Sequence, residues 1–250
     1  MADEEYPHKL GIYNTTLTVL DSKKNLVAAR QNSNLADAKD VLKWLKDWPD
    51  NVKAVTAAEA AYKAKPDVET HYTLAQALDS CGRIADASPH FEELVKSLPK
   101  DDKRLLDLNM RRAAIAETCW NWELAQQIYF DVYPKLIDAK DERAINASQY
   151  YVAKLSGEGK NKEAREALIK VAEAFPKNEQ AQYCRLTAAW YAVQAGDKAQ
   201  AIADLEAIIK AGKKEDNLVQ AAQATIDSIK AMEKEEEKRK EAEKEAEKNN

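Results

Sequence analysis

One ten-residue pattern returns four times and constrains this chain more than any other feature. It reads GRIADASPHF at Gly82–Phe91, WNWELAQQIY at Trp120–Tyr129, GKNKEAREAL at Gly159–Leu168 and GDKAQAIADL at Gly196–Leu205. Each copy opens on a turn, then places an alanine (Ala87, Ala125, Ala164, Ala201) and, one helical turn later, a large residue (Phe91, Tyr129, Leu168, Leu205). The alanines stand 38, 39 and 37 residues apart, and a fixed period in this range marks a stacked repeat array. Two helices that meet just after a tight turn need a side chain no larger than a methyl where they are closest. One turn on, they diverge and need a bulky filler.

Composition agrees. Six glycines in 250 residues, among abundant Ala, Leu, Lys, Glu and Gln, predict helix almost throughout. A formal net charge of -5 argues against nucleic acid as a partner, since such proteins normally carry a basic face. Cys81, Cys119 and Cys184 form no CxxC or metal-ligand spacing and read as reduced thiols between helices, without a redox role. The N-terminus MADEEYPHKL is acidic and lacks the apolar centre of a signal peptide, and no segment approaches membrane-spanning length. A cytoplasmic location without membrane insertion is therefore expected, although a leader trimmed before Met1 would leave no trace.

Before the repeats, residues 10–31 are rich in β-branched side chains and broken by the turn formers DSKKN. A β-hairpin pairing Thr15–Leu20 with Leu26–Arg30 fits better than a helix capped by Asn14, which would set Lys23 and Lys24 in its apolar stripe. A two-stranded hairpin is marginal alone, so it is expected to lean on the first helices or on another sheet. Val41, Leu42, Leu45 and Trp48 then share one helical face. Pro49 is expected to break that helix, and the stretch after Asn51 forms a second one. Together they predict a degenerate first hairpin, with Ala58 in place of the large filler.

GIYNTTLTVLD followed by LVAARQNSNLADAKDVLKWLK resembles, in its order of strand, turn, strand and helix, the last third of a thioredoxin fold. Asn14 stands where that family's cis-proline would be, only nine residues precede Leu10, and the CxxC redox pair is missing. What the resemblance implies is a remnant without thiol chemistry.

The four later hairpins resemble tetratricopeptide repeats. In the fullest copy, Glu69–Pro99, Leu74, Ala75 and Leu78 match the first-helix core of that family, Gly82 its turn, Ala87 and Phe91 its second-helix contacts and Pro99 its terminating proline. The third copy repeats this with Tyr151, Val152, Leu155, Gly159, Ala164, Leu168 and Pro176, and both prolines fall 17 residues after their glycine. The second copy departs: Trp120 and Asn121 replace the turn glycine, and Pro134 is expected to end or kink its second helix near Val132. Pro89 lies near the start of a second helix and would strain it if beyond the first turn. The last copy closes on Gly212 as a glycine C-cap. The resemblance implies a mainly α, right-handed superhelix of antiparallel helix hairpins, here preceded by the short β-hairpin.

Three parts are expected: an N-terminal hairpin segment over 1–33, a helical repeat domain over 34–232 and a charged helical tail over 233–250. Leu218, Ala222, Ile226 and Ile229 predict a capping helix over Asn217–Met232. In the tail, Glu235–Arg239 and Glu236–Lys240 have the favourable i,i+4 order, contributing about 0.2–0.5 kcal/mol each. Without an a/d apolar seam it reads as a solvated helix.

Candidate chemistry is sparse. GEGKNK at Gly157–Lys162 resembles a phosphate loop faintly but follows a helix, and reads as a repeat turn. His90 with Glu93 makes one polar pair on one helical turn, too few ligands for a metal site, and His71 reads as an interface or surface histidine. Neither a metal nor a cofactor is expected. Of five tryptophans, Trp122 sits where the repeat family packs an aromatic between hairpins, whereas the repeat phase aims Trp190 at the groove.

In tetratricopeptide arrays the first helices line a concave groove that takes a peptide. Carried over by phase, the groove residues are Tyr72, Gln76 and Asp79, then Met110 and Ala114, then Asn146, Gln149 and Ala153, then Tyr183, Leu186 and Trp190. Some members clamp C-terminal carboxylates with Lys and Asn; no lysine stands at these positions, so that specificity is not expected. The reading that follows is a non-catalytic scaffold holding a partner protein or peptide, or a copy of itself. The alternative is a fragment or accessory domain of a thioredoxin-like thiol-disulfide oxidoreductase.

Overall fold

The computed structural model describes residues 17–30, 38–213 and 216–248, with side chains as far as 244. Among these, strands β1 (Leu17–Leu20) and β2 (Leu26–Arg30) precede ten helices. They are α1 (Ala38–Ala64), α2 (Val68–Ser80), α3 (Ile84–Ser97), α4 (Arg104–Thr118), α5 (Trp122–Asp138), α6 (Arg143–Gly157), α7 (Asn161–Ala174), α8 (Glu179–Gln194), α9 (Lys198–Ala211) and α10 (Asn217–Lys248). The fold is mainly α, with strand confined to the hairpin among the described residues. Thr15 and Thr16 of the expected first strand lie outside them. The chain forms two compact units, one reaching to Ile128 and one starting at Tyr129.

In the first unit the hairpin is antiparallel, with Leu17 opposite Arg30 and Leu20 opposite Leu26. Its tip is fixed by Asp21, whose carboxylate accepts the backbone N–H groups of Lys23 and Asn25, each at 2.8 Å. β2 docks on the end of α2: the Ala29 N–H donates to the Cys81 carbonyl at 2.8 Å, and Cys81 Sγ donates to the Val27 carbonyl at 3.3 Å. Ala28 thereby joins a core built from Val55, Leu74, Leu78, Phe91 and Leu94. The hairpin leans on the helices, as its marginal size requires.

Three prolines lie inside helices. Pro49 lies inside the unbroken 27-residue α1, so the degenerate first hairpin does not exist. Pro134 lies inside α5, which runs past Val132 to Asp138, and Pro89 inside α3. An interior proline costs about 3 kcal/mol. In each helix, apolar side chains on both flanks hold the chain in place: Trp44, Trp48 and Val52 pack against the core around Pro49. Ala87 and Phe91 are buried beside Pro89, as are Tyr133 and Leu136 beside Pro134. Side-chain burial of roughly 1.5–3 kcal/mol per large residue outweighs the penalty.

Every repeat turn has one geometry. The residue after the first helix is left-handed, with φ of 74° at Gly82, 58° at Trp120, 76° at Gly159 and 79° at Gly196. In the first turn the Gly82 N–H donates to the Asp79 carbonyl at 2.8 Å and the Arg83 N–H to the Leu78 carbonyl at 3.0 Å. The other three turns repeat these two bonds, Asn121 reaching the Ala116 carbonyl at 2.8 Å. This is the Schellman arrangement, which closes the last carbonyls of a helix. Trp120 thus occupies a conformation that suits glycine.

Gly212 meets a further expectation in part. It is the C-cap of α9, but at φ -99° and ψ 177° its backbone is ordinary extended chain. What excludes a side chain there is Val219, whose Cγ2 would lie 2.4 Å from an added Cβ.

In the second unit α10 caps the array. Ala222, Ile226 and Ile229 are buried against Ala189, Ala192, Leu205 and Ile208. Beyond Met232 the same helix continues, exposed, and its ion pairs differ from those expected. Glu236 reaches Lys198 of α9 at 2.7 Å and Arg239 pairs with Glu243 at 3.3 Å. Arg165 of α7 holds the buried Asp204 of α9 with two bonds of 2.6 Å.

The turns generate a substitution series. Added Cβ atoms meet nothing within 4 Å at Gly159 and Gly196, but lie 1.8 Å from the Ala29 carbonyl oxygen at Gly82. Gly159→Ala and Gly196→Ala are expected to lose about 1–2 kcal/mol each from left-handed strain alone. Gly82→Ala should lose more than either and release β2. Trp120→Gly should gain up to about 1 kcal/mol. Urea unfolding of the four variants measures the order.

Candidate functional site

The first helices are positioned by the residues that follow each turn. Ala87, Ala125, Ala164 and Ala201 are all fully buried, and Phe91, Tyr129, Leu168 and Leu205 are at most 2% exposed. All four copies thus combine a left-handed turn residue, a closed-in alanine and a buried large residue at the positions the sequence pattern assigns. The repeats are tetratricopeptide-like.

No protein-family model matches the sequence, and no curated protein matches it. Solved structures resemble it over most of their length. One is a kinesin-light-chain-like protein of Podospora anserina with nearly identical TPR-like repeats, 15% identical, covering 70% of this chain and 90% of that one at a TM-score of 0.45. Another is MamA, residue 41 to its end, from Desulfovibrio magneticus RS-1, 17% identical, covering 72% and 94% at 0.43. A third is BtubC (BKLC) from P. vanneervenii, 14% identical, covering 77% and 91% at 0.41. The thioredoxin resemblance gains no support: the described sheet has two strands only.

None of the eleven expected groove residues is buried. In the first unit, Gln76 is exposed and Tyr72, Asp79, Met110 and Ala114 are half-buried. Two arginines of α4, which the repeat phase does not single out, stand among them. Arg104 lies over the Tyr72 ring, its Cζ 5.7 Å from the centroid, and also holds Asp102 and Glu69. Arg111 pairs with Asp79. Their seven-residue spacing on one helix face was the available signal. Each arginine is matched by carboxylates, so this face carries little uncompensated charge.

In the second unit, α6 presents Asn146, Gln149 and Ala153, all exposed, and α8 presents Tyr183, Leu186 and Trp190. Trp190 is 52% exposed and Tyr183 38%. The Trp190 ring is held edge-on to Tyr191, at 4.8 Å and 78°. The opposite side of α8, Ala181, Cys184, Ala188, Ala189 and Ala192, is buried. A cleft of about 870 Å³ lies elsewhere, lined by Lys177, Gln182, Arg185, Ile208 and Leu218 among others, and none of the eleven residues borders it.

One other candidate moves. Trp122 is 56% exposed and fills no hairpin core: it opens α5, where the chain has only just left the turn and its ring points to solvent. His71 takes the interface alternative, buried at 6%, with Nε2 2.9 Å from Nδ1 of His90. Gly157–Lys162 is a helix-to-helix turn, with Ser156 Oγ donating to Asn161 Oδ1 at 2.9 Å, and no strand leads into it. Among the described residues no group of three His, Cys, Asp or Glu could hold a metal ion, and no helix is long and apolar enough to cross a membrane. Among the described residues no disulfide joins the cysteines, and burial pushes the thiols of Cys81 and Cys184 up from their ordinary range.

Exposure makes Trp122 a stability control. Trp122→Ala and Trp190→Ala are each expected to shift unfolding by no more than about 0.5 kcal/mol. Tyr129→Ala, at a filled repeat position, should cost about 3–5 kcal/mol. Thermal melts of the three variants check this.

Proposed function

We propose that this chain is a non-catalytic scaffold that binds a partner protein or peptide, with the outward side of α8 as the main anchor. The observation that carries this reading is the stripe of Tyr183, Leu186 and Trp190, accessible on a helix whose other side is already buried. Exposed aromatic anchors concentrate interface energy. Asn146, Gln149 and Ala153 offer small and uncharged neighbours. With no lysine or arginine among these six positions, the surface suits an apolar segment better than a carboxylate terminus.

In this reading residues 34–232 are the binding body, 1–33 an N-terminal addition and 233–250 a charged extension. Tyr72, Gln76, Asp79, Met110 and Ala114 provide a second, more polar face. Among the described residues no disulfide forms, which suits a reducing compartment such as the cytoplasm.

The test is partner capture from native lysate by the parent, Trp190→Ala and Trp122→Ala, followed by calorimetry with the partner retained by the parent. Trp190→Ala should weaken binding about 30-fold, the equivalent of roughly 2 kcal/mol, while its melting temperature holds. Trp122→Ala should bind as the parent does. Gel filtration separates a foreign partner from a second copy. Equal capture by Trp190→Ala overturns the assignment.

A further inference from the structure

Three aromatic rings, one from each of the first three helices, meet, and two of them are histidines. His71 of α2 stacks on Tyr62 of α1, with centroids 4.7 Å apart at 25°. His90 of α3 stands edge-on to His71, at 5.0 Å and 87°, and to Tyr62, at 6.3 Å and 84°. The two imidazoles touch through His71 Nε2 and His90 Nδ1 at 2.9 Å. We propose that this pair is a proton-operated latch on the joint of α1, α2 and α3, closed by a single hydrogen between the facing nitrogens and opened when each nitrogen carries its own.

The proton count gives the mechanism. In the neutral pair one ring donates and the other accepts. A first added proton can sit on an outer nitrogen, Nδ1 of His71 or Nε2 of His90, and leave the bond intact. A second puts N–H on both facing nitrogens and sets two positive rings against each other, so attraction becomes repulsion. The surroundings offer little to offset this. From α3, Glu93 Oε2 lies 3.9 Å from His71 Nε2, on a side chain 69% exposed. From α1 the facing group is the neutral Tyr62, and Glu59 is turned to Arg83 at 3.6 Å. On α2, Glu69 is held by Arg104, and just before it Asp67 is held by Lys65.

Burial, and next the neighbouring His90, lower the proton affinity of His71, with Glu93 acting the other way. The unfolded chain, whose histidines take protons near pH 6.5, therefore binds more protons than the fold as pH drops below that value. Stability from the latch is complete above about pH 6.5 and drains away beneath it. The same joint carries the core that receives Ala28 of β2, so opening loosens the seat of the hairpin.

The test is urea unfolding of the full chain from pH 7 to 5 with EDTA present, beside proton NMR of the imidazoles. The chain has three histidines, so His71→Phe and His90→Gln assign the signals. The unfolding constant of the parent should rise at least about tenfold more than that of His71→Phe, one proton being worth about tenfold per pH unit. His90→Gln, whose amide oxygen accepts from His71 but takes no proton, should fall between them. The latch is wrong if the parent and His71→Phe curves agree within threefold, or if His90→Gln follows the parent. Folded parent imidazoles that both titrate independently near pH 6.5 would also overturn it, without need of any variant.

Discussion

Each hairpin depends on one close approach. Where a first helix ends, the backbone turns left-handed, and five residues later an alanine with no exposed surface lets the second helix lie against the first. The turn sets the direction of departure and the alanine sets the distance; the large residue one turn on fills the widening gap. Neither part works alone. A larger residue at Ala87 would push α3 off α2, and a right-handed residue at Gly82 would send α3 elsewhere. The second copy shows which part is stricter: the backbone conformation persists when the residue changes, since Trp120 is held at φ 58° by the same two hydrogen bonds. The packing behind the turn imposes the conformation, and the tryptophan bears the strain.

That division explains what could be read from residues alone. The repeat was legible because alanine and its large partner recur at fixed distance and each has a steric reason. The hairpin was legible from β-branched residues around DSKKN. The prolines were not. Pro49, Pro89 and Pro134 look like helix breakers locally. What decides the helix there is the packing of Trp44, Trp48, Phe91 and Tyr133 on either side of them, against partners distant in sequence. Tertiary burial overrides propensity. The same distance hid His71: nothing near it in sequence announces that His90, nineteen residues later, will meet its ring.

The candidate surface was legible in part. Phase along a repeat tells which side of a helix is accessible, so all eleven positions came out unburied. Phase does not tell what charges gather beside them. Arg104 and Arg111 come from α4 and meet Glu69, Asp79 and Asp102 by pairing across helices and loops. For Trp122 the family position suggested a packed ring, but α5 starts at that residue, and a side chain in a first turn lacks a preceding turn to lie on.

The two units are held by different means. In the second, Arg165 and Asp204 tie α7 to α9, and α10 closes the end with an apolar stripe. A bidentate pair with its carboxylate buried is strong only while both partners remain. In the first unit the polar contact buried among α1, α2 and α3 is an imidazole pair, and the hairpin rests on that same core. Both units carry arginine–carboxylate pairs, and among the described residues the imidazole pair belongs to the first, so the two respond unevenly to acid. Local opening draws on the weakest buried contacts first, so acidification acts on the end that carries β1 and β2 before it reaches the aromatic stripe of α8.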